Sequence, residues 1–169
     1  MKEHLSNTKF IYAAYEAIGD LTPIKTDCGK LCDKACCKGD DAGMLLFPCE
    51  ELIFEGVPGF RIHEMEYMNV PGIKLLMCDG ECTRNMRPLS CRIFPVAPNI
   101  DKTGNITIQP DRRGRRLCPI WDLKNRDIDE TFIESVQKAF EILAEDEAML
   151  FFMQLLSDEQ EKLRRFYKK

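Results

Sequence analysis

Apolar and polar positions divide this chain into a helical start, a middle of short runs and a helical end. Near the start, Phe10, Ala13, Ala14, Ala17 and Ile18 recur at helical spacing over residues 6–19. Ser6 or Asn7 can cap that helix, Gly19-Asp20 end it, and Pro23 blocks continuation. In the middle, Met44–Phe47 is a short apolar run, and Pro48 suits the first turn of a short helix over Cys49–Glu55 with Glu50 and Glu51 near its N-terminus. Residues 60–67 and 73–78 read as strands about a Pro71-Gly72 turn. Ile93–Ile100 and Ile106–Gln109 read as a hairpin around a turn-rich 101–105, with Pro95 and Pro98 confining the first arm to an edge. Towards the end, Asp129 caps a helix carrying Phe132, Ile133, Val136, Phe140 and Leu143. The apolar stretch Ala148–Leu156 follows, and Ser157 with Gln160 matches a capping box that starts a fresh helix over Asp158–Tyr167.

One stretch fits none of these patterns. Residues 26–43 hold four cysteines among Gly, Lys and Asp and offer little to build a core. Something other than apolar burial must order them, and metal ligation is an obvious candidate. The whole chain has nine cysteines: Cys28, Cys32, Cys36, Cys37, Cys49, Cys78, Cys82, Cys91 and Cys118. An odd number leaves one over from a closed disulfide set, and 169 residues can form a core without such staples. Hydrophobic residues at 44% and charged residues at 31% fit a folded chain rather than a disordered one.

Residues 1–9 are polar, without the apolar centre of a signal peptide. No apolar run approaches the ~18 residues of a membrane span. The expected compartment is the cytoplasm, with no membrane partner, where clustered thiols read as ligands or redox groups. A net charge of -4 lacks the basic footprint of a nucleic-acid binder.

The cysteine spacing is itself informative. In Cys28-x3-Cys32-x3-Cys36-Cys37, a local helix would set the first three thiols along one face, and a loop would still bring them within reach of one ion. A tetrahedral zinc with bonds of ~2.3 Å needs sulfurs only about 3.8 Å apart. Cys78-Asp79-Gly80-Glu81-Cys82 reads as a knuckle around a tight turn, with Cys91 and Cys118 further on. Successive side chains diverge, so Cys36 and Cys37 serve different ions or divide ligation from packing. Two four-thiolate sites and one iron–sulfur cluster with spare thiols both remain open.

Arg87-Pro88-Leu89-Ser90-Cys91-Arg92-Ile93-Phe94-Pro95 follows a Gly-x-Cys element, Gly80-Glu81-Cys82, and a cysteine run ending in Cys36-Cys37. In that order these features resemble the cysteine-cluster family described as zinc- or iron-chelating, whose signatures are R-P-x-x-C-R-x-F-P and C-x2-C-x2-C-C. The likeness covers about residues 28–118. The first run here is spaced by three, Thr83-Arg84 replaces an apolar-aromatic pair, and Cys49 lies outside the pattern. The resemblance implies metal binding through Cys28, Cys32, Cys36, Cys37, Cys78, Cys82, Cys91 and Cys118, and supplies no reaction.

The remaining chemistry is sparse. Cys49 reads as a buried thiol, His63 as an ordinary histidine, and 112–116 as a solvated basic loop. Met149–Leu156 reads as core and Trp121 as a packing anchor beside Cys118. Arg87 and Arg92 either donate to cysteine sulfur or pair with surface carboxylates. No acid–base or nucleophile–base set is evident, so enzymatic activity stays open.

The expected fold is a single α+β domain over 1–169. Short strands and a cysteine-rich metal-binding centre (26–120) would be covered by N- and C-terminal helices, the latter from 126–169. The expected function is metal binding through Cys thiolates, with zinc as the ion. Iron or an iron–sulfur cluster in an enzyme or electron carrier, and thiol redox exchange, are the alternatives. The sequence names no protein partner.

Overall fold

The computed structural model describes residues 2–38, 43–80, 82–122 and 128–167, with backbone only for 2–7 and Asp122. Residues 39–42 of the 26–43 stretch, Glu81 of the knuckle, and 126–127 and 168–169 of the C-terminal segment lie outside the described residues. The architecture is α+β, with helices around short antiparallel strands.

Helix α1, Lys2–Ile18, starts earlier than its pattern implies, so Ser6 and Asn7 lie inside it rather than at a cap. It stops where expected: Gly19 takes a left-handed φ of 53° and donates its N–H to the Tyr15 carbonyl at 2.8 Å. The fully buried stripe is Ile11, Ala14 and Ile18. That stripe packs on the helix Glu130–Leu143, which buries Phe132, Val136, Ala139, Phe140 and Leu143.

Strands β1 (Gly43–Leu45), β2 (Phe60–Tyr67) and β3 (Val70–Cys78) form an antiparallel sheet in the order β1-β3-β2. The β2–β3 turn is Met68-Asn69, not Pro71-Gly72 as the composition suggests. Both turn residues are left-handed, at φ 54° and 66°, the geometry whose twist matches paired strands. Pro71 therefore lies within β3. It is tolerated because β1 pairs only with residues 75–77, leaving one edge of β3 open at Pro71.

Strands β4 (Val96–Ile100) and β5 (Ile106–Pro110) form a separate two-stranded sheet. The first arm starts later than expected because Leu89–Ile93 is helical and is followed by a cis Phe94–Pro95 bond.

The C-terminal helices differ from expectation at one point. Asp129 caps Glu130–Leu143 as anticipated, accepting the Thr131 N–H at 2.9 Å. Glu147–Tyr167, however, is one unbroken helix, with no restart at Ser157. Its polar residues are used sideways instead. Ser157 Oγ accepts the Ile100 N–H at 3.0 Å, and the fully buried Gln160 accepts the Arg112 N–H at 2.7 Å. The start is capped by Asp146, whose Oδ1 accepts from Ala148 and Met149 N–H, each at 3.0 Å. Met149, Phe152, Met153 and Leu156 are buried in the core. Among the described residues, no helix is long and apolar enough to cross a membrane.

Candidate metal centre

None of the nine cysteines is in a disulfide, and eight of them gather from five separate stretches of chain. The segment 26–38 supplies four. It is not the continuous helix that would align Cys28, Cys32 and Cys36. A single turn, Gly29–Cys32, ends at Asp33 and Lys34, both left-handed at φ 49° and 55°, and a 3₁₀ turn Ala35–Cys37 follows. Neither short element contains a buried residue. Cys78 ends β3, Cys82 follows the Asp79-Gly80 turn, Cys91 lies in the short helix Leu89–Ile93, and Cys118 follows the 3₁₀ turn Arg112–Arg116.

Around these thiols lie two adjoining hollows. A cavity of ≈ 500 Å³ is lined by Cys36, Cys37, Cys78, Cys82 and Cys91, with Arg87 beside them. A cleft of ≈ 20 Å³ is lined by Cys28, Cys32, Cys36 and Cys118. Electrostatic neighbours divide in the same way. Cys91 feels Cys82, Cys37 and Cys78, whereas Cys28 feels Cys118 and Cys32. Cys36 stands at the seam, next to Cys37 and within reach of Cys32 and Cys28. Cys28, Cys32 and Cys118 thus line the cleft, Cys37, Cys78, Cys82 and Cys91 the larger cavity, and Cys36 both. Cys49 lines neither hollow and has Glu51 and Asp146 as electrostatic neighbours.

The Cys36 and Cys37 sulfurs are 3.9 Å apart. A hydrogen bond from Cys36 brings the Cys37 thiol down to about 6, and the same contact raises Cys36. Burial raises Cys28, Cys82, Cys91 and Cys118, Cys91 most clearly. Such thiols hold their protons unless a cation favours the thiolate. Arg87 supplies one fixed positive charge, within electrostatic reach of Cys82, Cys37 and Cys28. As the side chains are placed, no three His, Cys, Asp or Glu among the described residues stand close enough to enclose an ion.

The helix carrying Cys91 is anchored by groups for which the sequence suggests other roles or none. Glu50 is fully buried. Its carboxyl accepts the Tyr15 hydroxyl, the Phe47 N–H at 2.9 Å and the Leu89 N–H at 2.6 Å. Ser90 Oγ donates to the Leu45 carbonyl at 2.6 Å, binding the same helix to β1. Among the described residues, Arg92 neither meets sulfur nor pairs with a surface carboxylate. It donates to the carbonyls of Gly19 (3.1 Å), Asn85 (2.8 Å) and Arg87 (3.0 Å), and lies over the Tyr15 ring.

Comparison of the chain with family models, curated proteins and solved structures found no match.

The remaining residues fall out plainly. The segment 112–116 is a 3₁₀ turn fastened at Arg113 and Gly114, with Arg115 and Arg116 exposed to solvent as expected. Arg113 grips the buried Asp111 at 2.5 Å, and Arg115 lies over the Tyr167 ring at 4.7 Å. Trp121 packs near Gly114 and donates its backbone N–H to the Cys118 carbonyl at 3.0 Å. His63 is exposed on β2, away from every cysteine lining.

Proposed function

We propose that this protein binds metal through two four-cysteine groups, Cys28/Cys32/Cys36/Cys118 and Cys37/Cys78/Cys82/Cys91, with zinc as the ion. The observation that carries the reading is the sorting of eight thiols from distant stretches around two adjoining hollows. All-thiolate donor sets suit zinc and iron–sulfur clusters, and a closed zinc tetrathiolate is structural rather than hydrolytic. The likeness of residues 28–118 to the zinc- or iron-chelating cysteine-cluster family points the same way. Binding would complete the ordering of 26–38, a segment with almost no apolar burial of its own. Arg87 would offset part of the negative charge that thiolates bring.

The test is metal analysis of protein purified without oxygen or added metal, measuring zinc, iron and acid-labile sulfide per chain. The expected result is two zinc equivalents without sulfide. Cys78→Ser and Cys118→Ser should each lose one equivalent, and Cys49→Ser should keep both. Iron with matching sulfide would overturn zinc in favour of a cluster. A folded, metal-free chain would overturn the reading altogether.

A further inference from the structure

We propose that Cys36 and Cys37 form an oxidant-sensitive modification site, closing into a vicinal disulfide that withdraws one sulfur from each four-cysteine group at once. The effect on metal rests on the two-group reading above; the closing of the bond does not.

The two sulfurs already lie 3.9 Å apart. Cys36 is exposed and Cys37 half-buried, so a small oxidant reaches them from solvent. The turn that carries them, Ala35–Cys37, has no buried residue. Little packing therefore opposes the shift that brings the sulfurs to the ~2.05 Å of a bond. Adjacent Cα atoms are ~3.8 Å apart, below the range of about 4.4–6.8 Å common to disulfides. The closed form is accordingly strained and easily reduced, as reversible regulatory disulfides are.

With a peroxide as oxidant, one thiolate of the pair attacks a peroxide oxygen, forming a sulfenic acid and releasing hydroxide. The neighbouring thiol then attacks the sulfenic sulfur, forming the S–S bond and releasing water. In sum, two thiols lose two electrons and two protons, and hydrogen peroxide becomes two waters. A dithiol reductant reverses the change and is itself oxidised to a disulfide.

Position in the fold gives the bond its consequence. Cys37 lines only the larger cavity, and Cys36 also lines the cleft of the other group. A disulfide within one quartet disables that quartet alone. The 36–37 bond joins a sulfur of each group across a contact the fold already makes, and so takes a ligand from both.

The experiment treats the full-length, metal-loaded protein with hydrogen peroxide, follows metal release with a chromophoric chelator, and maps disulfides by mass spectrometry after acid quench. The expected result is a 36–37 disulfide that appears in step with loss of both metal equivalents and is reversed by dithiothreitol. Cys36→Ser and Cys37→Ser, each retaining the equivalent of its intact group, should hold that equivalent under the same treatment. Peroxide linking another pair, or metal leaving one group well before the other, would overturn the proposal while the metal reading stands. If the protein carries no metal, the metal reading fails first. A 36–37 disulfide in that material would keep the modification site and overturn its tie to metal release, and its absence would overturn both.

Discussion

Replacing Glu50 by Gln tests how the helix that holds Cys91 is fixed. Glu50 Oε1 accepts from Tyr15 and Leu89, and Oε2 accepts from Phe47, in a site closed to solvent. A glutamine has one acceptor oxygen and one donor nitrogen. In its better orientation it serves Tyr15 and Leu89 but turns an amide N–H₂ towards the Phe47 N–H. Two buried donors are then left without acceptors, at roughly 1–3 kcal/mol each, so the expected loss is about 2–6 kcal/mol. Glu50→Ala would orphan all three donors and open a cavity. In a domain stable by about 5–15 kcal/mol that risks unfolding, which is why Gln is the better probe. Tyr15→Phe removes a single donor to a carboxyl and should cost about 1.5–3 kcal/mol.

Equilibrium urea unfolding at fixed pH and metal content gives the comparison, with an unchanged denaturant slope as the check that both states stay comparable. A Glu50→Gln protein within about 0.5 kcal/mol of wild type, at the same slope, would refute the accounting, because surface substitutions alone fall in that range.

Three further outcomes follow from the same structure. Burial raises the Glu50 pKa above the ordinary glutamate value, so its folded form binds a proton more tightly than its unfolded form. Its contribution is therefore fully present below the ordinary value and is lost as pH rises towards the raised one; urea stability of wild type relative to Glu50→Gln should fall across that window. Arg113→Ala leaves the buried Asp111 with Gln160 and a backbone N–H but no cation, and should cost about 3 kcal/mol in the same assay, the low end for breaking a buried pair. Asn69→Gly relaxes a left-handed position of the β2–β3 turn and should stabilise the protein by up to about 1 kcal/mol, read as a raised thermal midpoint.

Local signals located elements better than joints. The Asp129 cap and the apolar spacing behind it announce a helix that forms there, because cap and stripe are both local. Ser157 and Gln160 carry an equally good local signal and mislead. Nothing in the sequence nearby reveals that Ile100 and Arg112 bring their N–H groups against that face, so residues that read as a helix start are satisfied from the side of an unbroken helix. Pro71-Gly72 fails for a related reason. It is a sound turn pair, but register is decided by two-residue geometry at Met68-Asn69 and by where β1 stops.

For the cysteines, the sequence singled out eight thiols that the fold sets around two hollows, but not which hollow each lines. Cys28, Cys32 and Cys36 were suited to one face of a helix, yet Asp33 and Lys34 turn left-handed and break that alignment. The break directs Cys36 and Cys37 towards adjoining hollows, which a sequence shows only as two neighbouring letters. Cys118 joins Cys28 and Cys32 across more than eighty residues because the 112–116 turn is fastened to the last helix through Asp111, Arg113 and Gln160. The place of Cys118 beside the cleft thus depends on buried polar residues far from any cysteine motif. Weakening the Asp111 fastening should disturb the Cys28 group while leaving the Cys37 group, which is anchored through Glu50, in place.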